Sequence, residues 1–167
     1  GFIVYNLYFF IIFVKKNMIQ VKFKKEHPEA TLPQKAHKSD AGFDVVSVSC
    51  QNVFSEDGEK YIEYDLGFST EIPEGYKGVI VPRSSISKYD LIMCNSPAQI
   101  DPSYRGTWRI RFKIVNSNSN SKARIYSPLK DRIAQIFFEP IIDAVFIESE
   151  ELSSTQRGDG GFGSTNK

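Results

Sequence analysis

The chain has 167 residues, enough for one core and too few for two comfortable domains. Its formal net charge is +1, from 21 Lys and Arg against 20 Asp and Glu, which gives no reason to expect a nucleic-acid-coating surface. Cys50 and Cys94 have no CxxC spacing, and His27 and His37 lie in a polar stretch, so zinc and Ser-His-Asp or Cys-His chemistry have little support. The two cysteines read as buried free thiols in a reducing compartment.

Gly1 to Val14 is strongly apolar and aromatic, and Lys15, Lys16 and Met18 follow. The run is short for a transmembrane helix, and it lacks both the preceding basic residue and the A-x-A-like site of a signal peptide. Residues 1–17 are therefore expected to be an apolar leader of uncertain origin, an upstream extension or misassigned start, with strand favoured over helix if it is ordered. From Met18 the pattern is β. Strands are expected at Ile19–Phe23, Phe43–Val48, Lys60–Tyr64, Gly78–Val81, Trp108–Val115, Ala134–Phe138 and Ala144–Ile147. Turn signals separate them, and Asn116 to Ser121 reads as a hairpin loop. Ser84 to Leu91 predicts one short helix, N-capped by its leading serines. Many short strands indicate an all-β sandwich or barrel over residues 18–148, without repeats or a linker. Residues 149–167 then form an acidic, hydroxyl-rich connector and a mobile glycine-rich arm.

The arm, Arg157 to Lys167, is the most informative segment. Closely spaced glycines let backbone N–H groups approach a polyanion, and Ser164 and Thr165 add hydroxyl donors. Arg157 adds a planar fork suited to phosphate, while Phe162 suits the flat face of a base. A disordered linker is the plain competing reading. A Walker A loop is rejected, because Ser164 stands where its lysine belongs and no helix can follow.

Four internal segments match that chemistry. Ser39 to Asp44 places a small pair before an aromatic and an acid, otherwise a simple strand start. Arg83, Ser84 and Ser85 form a candidate anion site, or an ordinary capped helix. Asn95 to Gly106 sets Asp101 and Tyr104 three residues apart on an apparent hairpin, where Asp101-Pro102-Ser103 is also a type I turn signal. Asp131 to Gln135 opens an apolar strand, and the Gln135 amide needs partners wherever it is buried.

In this order, and with Gly160 to Thr165 and Ile100 to Gly106 the most specific parts, the segments resemble the five motifs of the trimeric dUTPases from about Met18 to Lys167. The resemblance implies a jelly-roll-like β fold, a homotrimer with shared active sites, dUTP as substrate and Mg2+ as cofactor. It implies neither a nucleic-acid nor a membrane partner. The location it implies is cytoplasmic, or nuclear or organellar in a eukaryote. It casts Asp101 as the catalytic carboxylate and Tyr104 as the aromatic beneath the deoxyribose. Asn95 and the backbone of Ala98, Gln99 and Ile100 read uracil, and Arg83, Ser84, Ser85 and Gln135 face phosphates. Arg157, Gly163, Ser164 and Thr165 close the phosphate grip, Phe162 covers the base, and Asp44 stands near the metal through water. The reaction implied is attack of an Asp-activated water at the α-phosphorus, giving dUMP and pyrophosphate.

Ser103, Pro102 and Lys130 depart from the usual pattern without removing a catalytic group. The Ile-Asp-Pro variant also resembles the related dCTP deaminases, but Arg111 occupies the position of their proton-shuttling glutamate. A deaminase-like enzyme and a non-catalytic regulatory binding protein on the same fold are the alternatives.

Overall fold

The computed structural model describes residues 18–115 and 122–161. The leader, the Asn116–Ser121 loop and Phe162–Lys167 lie outside them. The described residues form ten strands: β1 Lys22–Lys25, β2 Phe43–Val46, β3 Ser49–Ser55, β4 Gly58–Asp65, β5 Phe68–Glu71, β6 Tyr76–Val81, β7 Leu91–Met93, β8 Ala98–Ile100, β9 Arg109–Ile114 and β10 Arg132–Pro140. They form two four-stranded antiparallel sheets, β2-β10-β6-β8 and β3-β4-β9-β7, with β1 and β5 paired separately. This is the expected jelly-roll-like architecture. Among the described residues no helix is long and apolar enough to cross a membrane.

Period-2 alternation builds the core. On β9, Ile110 and Phe112 are buried while Arg109, Arg111 and Lys113 are exposed; on β4, Ile62 and Tyr64 point inward. The Tyr64, Phe112 and Tyr126 rings meet edge to face at centroid distances of 5.6–6.3 Å, and the Tyr64 hydroxyl donates to the Tyr126 carbonyl at 3.0 Å. Burial pushes the Tyr126 phenol up to about 12 and shifts Tyr64 in the same direction. Trp108 is fully buried against Phe68, and the Gly78 backbone lies so close that a Cβ there would stand 2.9 Å from the indole.

Four expectations change. Ala144–Ile147 is not a strand: the last strand ends at Pro140, and Val145, Phe146 and Ile147 are 87%, 99% and 85% exposed. Its β-branched and aromatic residues have the composition of a strand, but no strand among the described residues pairs with them. Cys50 and Cys94 are exposed rather than buried. The helix is a 3-10 turn, Ser84–Lys88, with Arg83 at the cap position and no side-chain capping bond. Asn95–Gly106 is not a ladder hairpin, because β7 pairs with β9 and β8 pairs with β6 in the other sheet.

Candidate active site

Apart from those of the arm, the sequence-predicted residues gather in two places, one at each end of β6. At the first, Asp44 on β2 stands directly opposite Gln135 on β10, and Gln135 stands opposite Val81 at the end of β6. Arg83 follows two residues later. The Asp44 side chain is 6% exposed, and its oxygens accept from Arg83 Nε at 2.8 Å, an Arg132 terminal nitrogen at 2.9 Å and Gln135 Nε2 at 3.1 Å. Arg83 also reaches the Ser85 hydroxyl at 3.4 Å, and Ser84 opens the 3-10 turn beside it. Two guanidiniums around one carboxylate leave a net positive charge, the sign a polyphosphate needs. The Gln135 amide is thus satisfied, as its position inside a strand requires.

Arg132 is a member that sequence reasoning missed. Simple alternation sends residues three apart on a strand to opposite faces. A register shift between Arg132 and Ala134 brings Arg132 to the same carboxylate as Gln135. The polar opening of Asp131 to Gln135 was the visible signal; the bulge that aims it was not.

At the second place, a cleft of about 380 Å³ is lined by Asn95, Ala98, Gln99, Ile100, Asp101 and Tyr104, over a floor that includes Trp108. Asp101 and Tyr104 close a turn through Tyr104 N–H to the Asp101 carbonyl at 3.1 Å, so the turn reading of this segment is also correct. The Asp101 carboxylate is exposed and has no hydrogen-bond partner among the described residues. Tyr104 folds back so that its hydroxyl donates to the Thr107 carbonyl at 3.2 Å, and a Cβ at Gly106 would collide with its ring. β8 is the edge strand of its sheet, so the backbone groups on its outer side are not committed to a ladder. Arg109 and Arg111 complete the wall. Near Arg111 a carboxylate does stand, Glu63 of β4, but it is engaged as acceptor from Arg111 Nε at 2.8 Å and from Gln51 at 3.3 Å.

The two places are not brought together within one chain. Gly78 pairs with Ile100, so Asp101 lies at the level of Lys77, whereas Arg83 lies beyond the other end of the strand. Six residues of extended chain separate those levels by about 20 Å. Of the arm, Arg157 is exposed and donates from Nε to the Gly160 carbonyl at 3.0 Å; Phe162, Gly163, Ser164 and Thr165 lie outside the described residues.

The dUTPase family model matches residues 28–166. A deoxyuridine 5'-triphosphate nucleotidohydrolase of Nautilia profundicola is 39% identical over 150 residues, covering 89% of this chain and 100% of the relative. Among solved structures, a mutant dUTPase of Staphylococcus bacteriophage 80alpha with dUpNHpp superposes with a TM-score of 0.71 at 24% identity, covering 89% of this chain and 99% of that one. A mutant dUTPase from phage phi11 of S. aureus, described as revealing the coordination of a structural Mg(II) ion, has a TM-score of 0.63 at 22% identity, covering 80% of this chain and 98% of that one.

Proposed function

The chain belongs to the dUTPase family and hydrolyses dUTP, and from that premise we propose that each active site is assembled from halves supplied by different copies of a homotrimer. The separation along β6 carries this reading. A triphosphate bound with its α-phosphorus near Asp101 cannot span about 20 Å to Arg83 of the same chain. It can meet Arg83, Arg132, Ser84, Ser85 and Gln135 of a neighbour. The exposed apolar run after β10, with Ile142, Val145 and Phe146 at 87%, 87% and 99%, fits a segment that leaves its own core to meet another copy.

Within such a site Asp101 orients and deprotonates a water for in-line attack at the α-phosphorus, giving dUMP and pyrophosphate. Tyr104 packs beneath the deoxyribose. Asn95 and the open backbone edge of Ala98, Gln99 and Ile100 offer donors and acceptors to uracil. Arg157, Gly163, Ser164 and Thr165 close on the phosphates, with Phe162 over the base. Two exposed thiols fit a reducing, cytoplasmic setting.

Magnesium is carried by the substrate in this reading. Asp44 is not placed to ligate a cation directly, because both its oxygens accept from cationic or amide donors, so its role near the metal runs through water. Triphosphate oxygens supply the ligands Mg2+ prefers.

Mixing tests the shared site. Asp101→Asn and Arg83→Ala chains should each be inactive alone and should regain activity when co-refolded, since one assembly can then hold an intact half from each. A fully active monomer by light scattering, or no recovery on mixing, would overturn the reading.

A further inference from the structure

Asp101 stands on a turn that its backbone alone would hold loosely. The turn lies in the connection between β8 and β9, and three of its four residues, Asp101, Ser103 and Tyr104, are exposed. One backbone bond closes it, from the Tyr104 N–H to the Asp101 carbonyl at 3.1 Å. Pro102 at the second position presets φ. Exposed connections of this kind belong to the less stable end of a fold. The Asp101 carboxylate, moreover, has no hydrogen-bond partner among the described residues, so its direction is set by the backbone beneath it.

Side chains just past the turn supply the missing stiffness. The Tyr104 hydroxyl donates to the Thr107 carbonyl at 3.2 Å, which anchors the exit. Arg105 reaches back further. A terminal nitrogen of its guanidinium donates to the Pro102 carbonyl at 2.5 Å and to the Tyr104 carbonyl at 3.1 Å. The first of those carbonyls lies inside the turn and the second at its end, so a single charged donor ties the middle of the turn to its exit. Bonds from an ionised donor are about twice as strong as neutral ones. We propose that Arg105 is a positioning residue: by clamping the Pro102 and Tyr104 carbonyls it fixes the direction of the Asp101 carboxylate. This rests on the reading that Asp101 activates the attacking water. A base displaced by about 1 Å can lose on the order of 10²-fold in rate, so a stiff turn matters to turnover while adding nothing to the core.

The experiment measures kcat and KM for dUTP, the affinity for a non-hydrolysable dUTP analogue, and melting temperature, all on the assembled full-length enzyme. Asp101→Asn is run first, and normal turnover there overturns the reading of Asp101 and this proposal with it. If Asp101→Asn is inactive, Arg105→Ala tests the clamp by itself. It should lower kcat roughly 5- to 50-fold, with KM, analogue affinity and melting temperature unchanged. Pro102→Ala gives a second readout, because it loosens the same turn from a different point. Alone it should cost little while Arg105 holds the turn; combined with Arg105→Ala it should cost more than the product of the two separate effects. A raised KM at normal kcat would mean that Arg105 only attracts the triphosphate by charge. A lowered melting temperature would mean that it belongs to the scaffold, and normal kinetics that it is an idle surface residue. Each of these three results, or strictly multiplicative effects of the two substitutions, overturns the proposal.

Discussion

The two ends of β6 are built on opposite plans. At one end a nearly buried carboxylate binds two arginines and a glutamine at 2.8–3.1 Å, so the charges are oriented before any ligand arrives. At the other, the Asp101 carboxylate stands exposed on a turn and Tyr104 is 44% exposed. On the proposed reading, the difference divides labour within one fold. Gripping a polyanion needs cations fixed in place, which requires an acid inside the protein and ties the grip to stability. Activating a water needs a base open to solvent, which the fold can hold on a turn at little cost to the core.

The sharpest test is Asp101→Asn, which should lower turnover by at least roughly 10²-fold with an unchanged melting temperature and unchanged affinity for a non-hydrolysable analogue. A drop in stability would mean that the turn belongs to the scaffold and would break the contrast. Truncation after Thr155 should cost on the order of tenfold or more in kcat, because the proposed closing contacts are lost, and should leave folding untouched. Circular dichroism and light scattering check the second half of that statement. Asp44→Ala should behave in the opposite sense, destabilising the protein by about 1–3 kcal/mol while also raising KM, since two arginines lose their shared acceptor. Urea titration beside kinetics measures both.

The smallest effect at neutral pH concerns the core beneath both halves. The Tyr126 phenol is raised from 10.0 to about 12 by burial, so its neutral form is favoured on folding. That contribution is fully present below about pH 10 and is lost as pH rises toward 12, with Tyr64 acting in the same direction. Melting temperature should therefore hold to about pH 10 and fall above it, and Tyr126→Phe should flatten part of the decline. Its hydroxyl has no partner among the described residues, so the substitution should cost little at neutral pH.

The candidate site residues were more legible in the chain than the architecture that aims them. Asp101, Tyr104, Arg83, Gln135 and Asp44 lie in segments that are each modest alone, and the order of those segments and their resemblance to the dUTPase motifs singled them out. Arg132 could not be picked out, since a bulge decides its direction. Glu63 reads as an ordinary outward acid on an alternating strand, and only the neighbouring strands reveal its burial. β3 has a mostly exposed pattern without hydrophobic alternation, and β7 and β8 are three residues each, too short for a period to register. Ala144–Ile147 misled for the converse reason: composition states what a segment would pair with, not whether its own chain supplies it.

The open edge of β8 has a meaning for solubility as well. Unpaired backbone beside an apolar cleft is the kind of surface on which a foreign strand can add itself and seed self-association. Here the edge is three residues long, with Pro97 before it and Pro102 shortly after it, neither able to donate to a growing ladder. A segment this brief offers a foreign strand only a short ladder. Lengthening it by replacing Pro97 would therefore trade colloidal stability rather than fold stability.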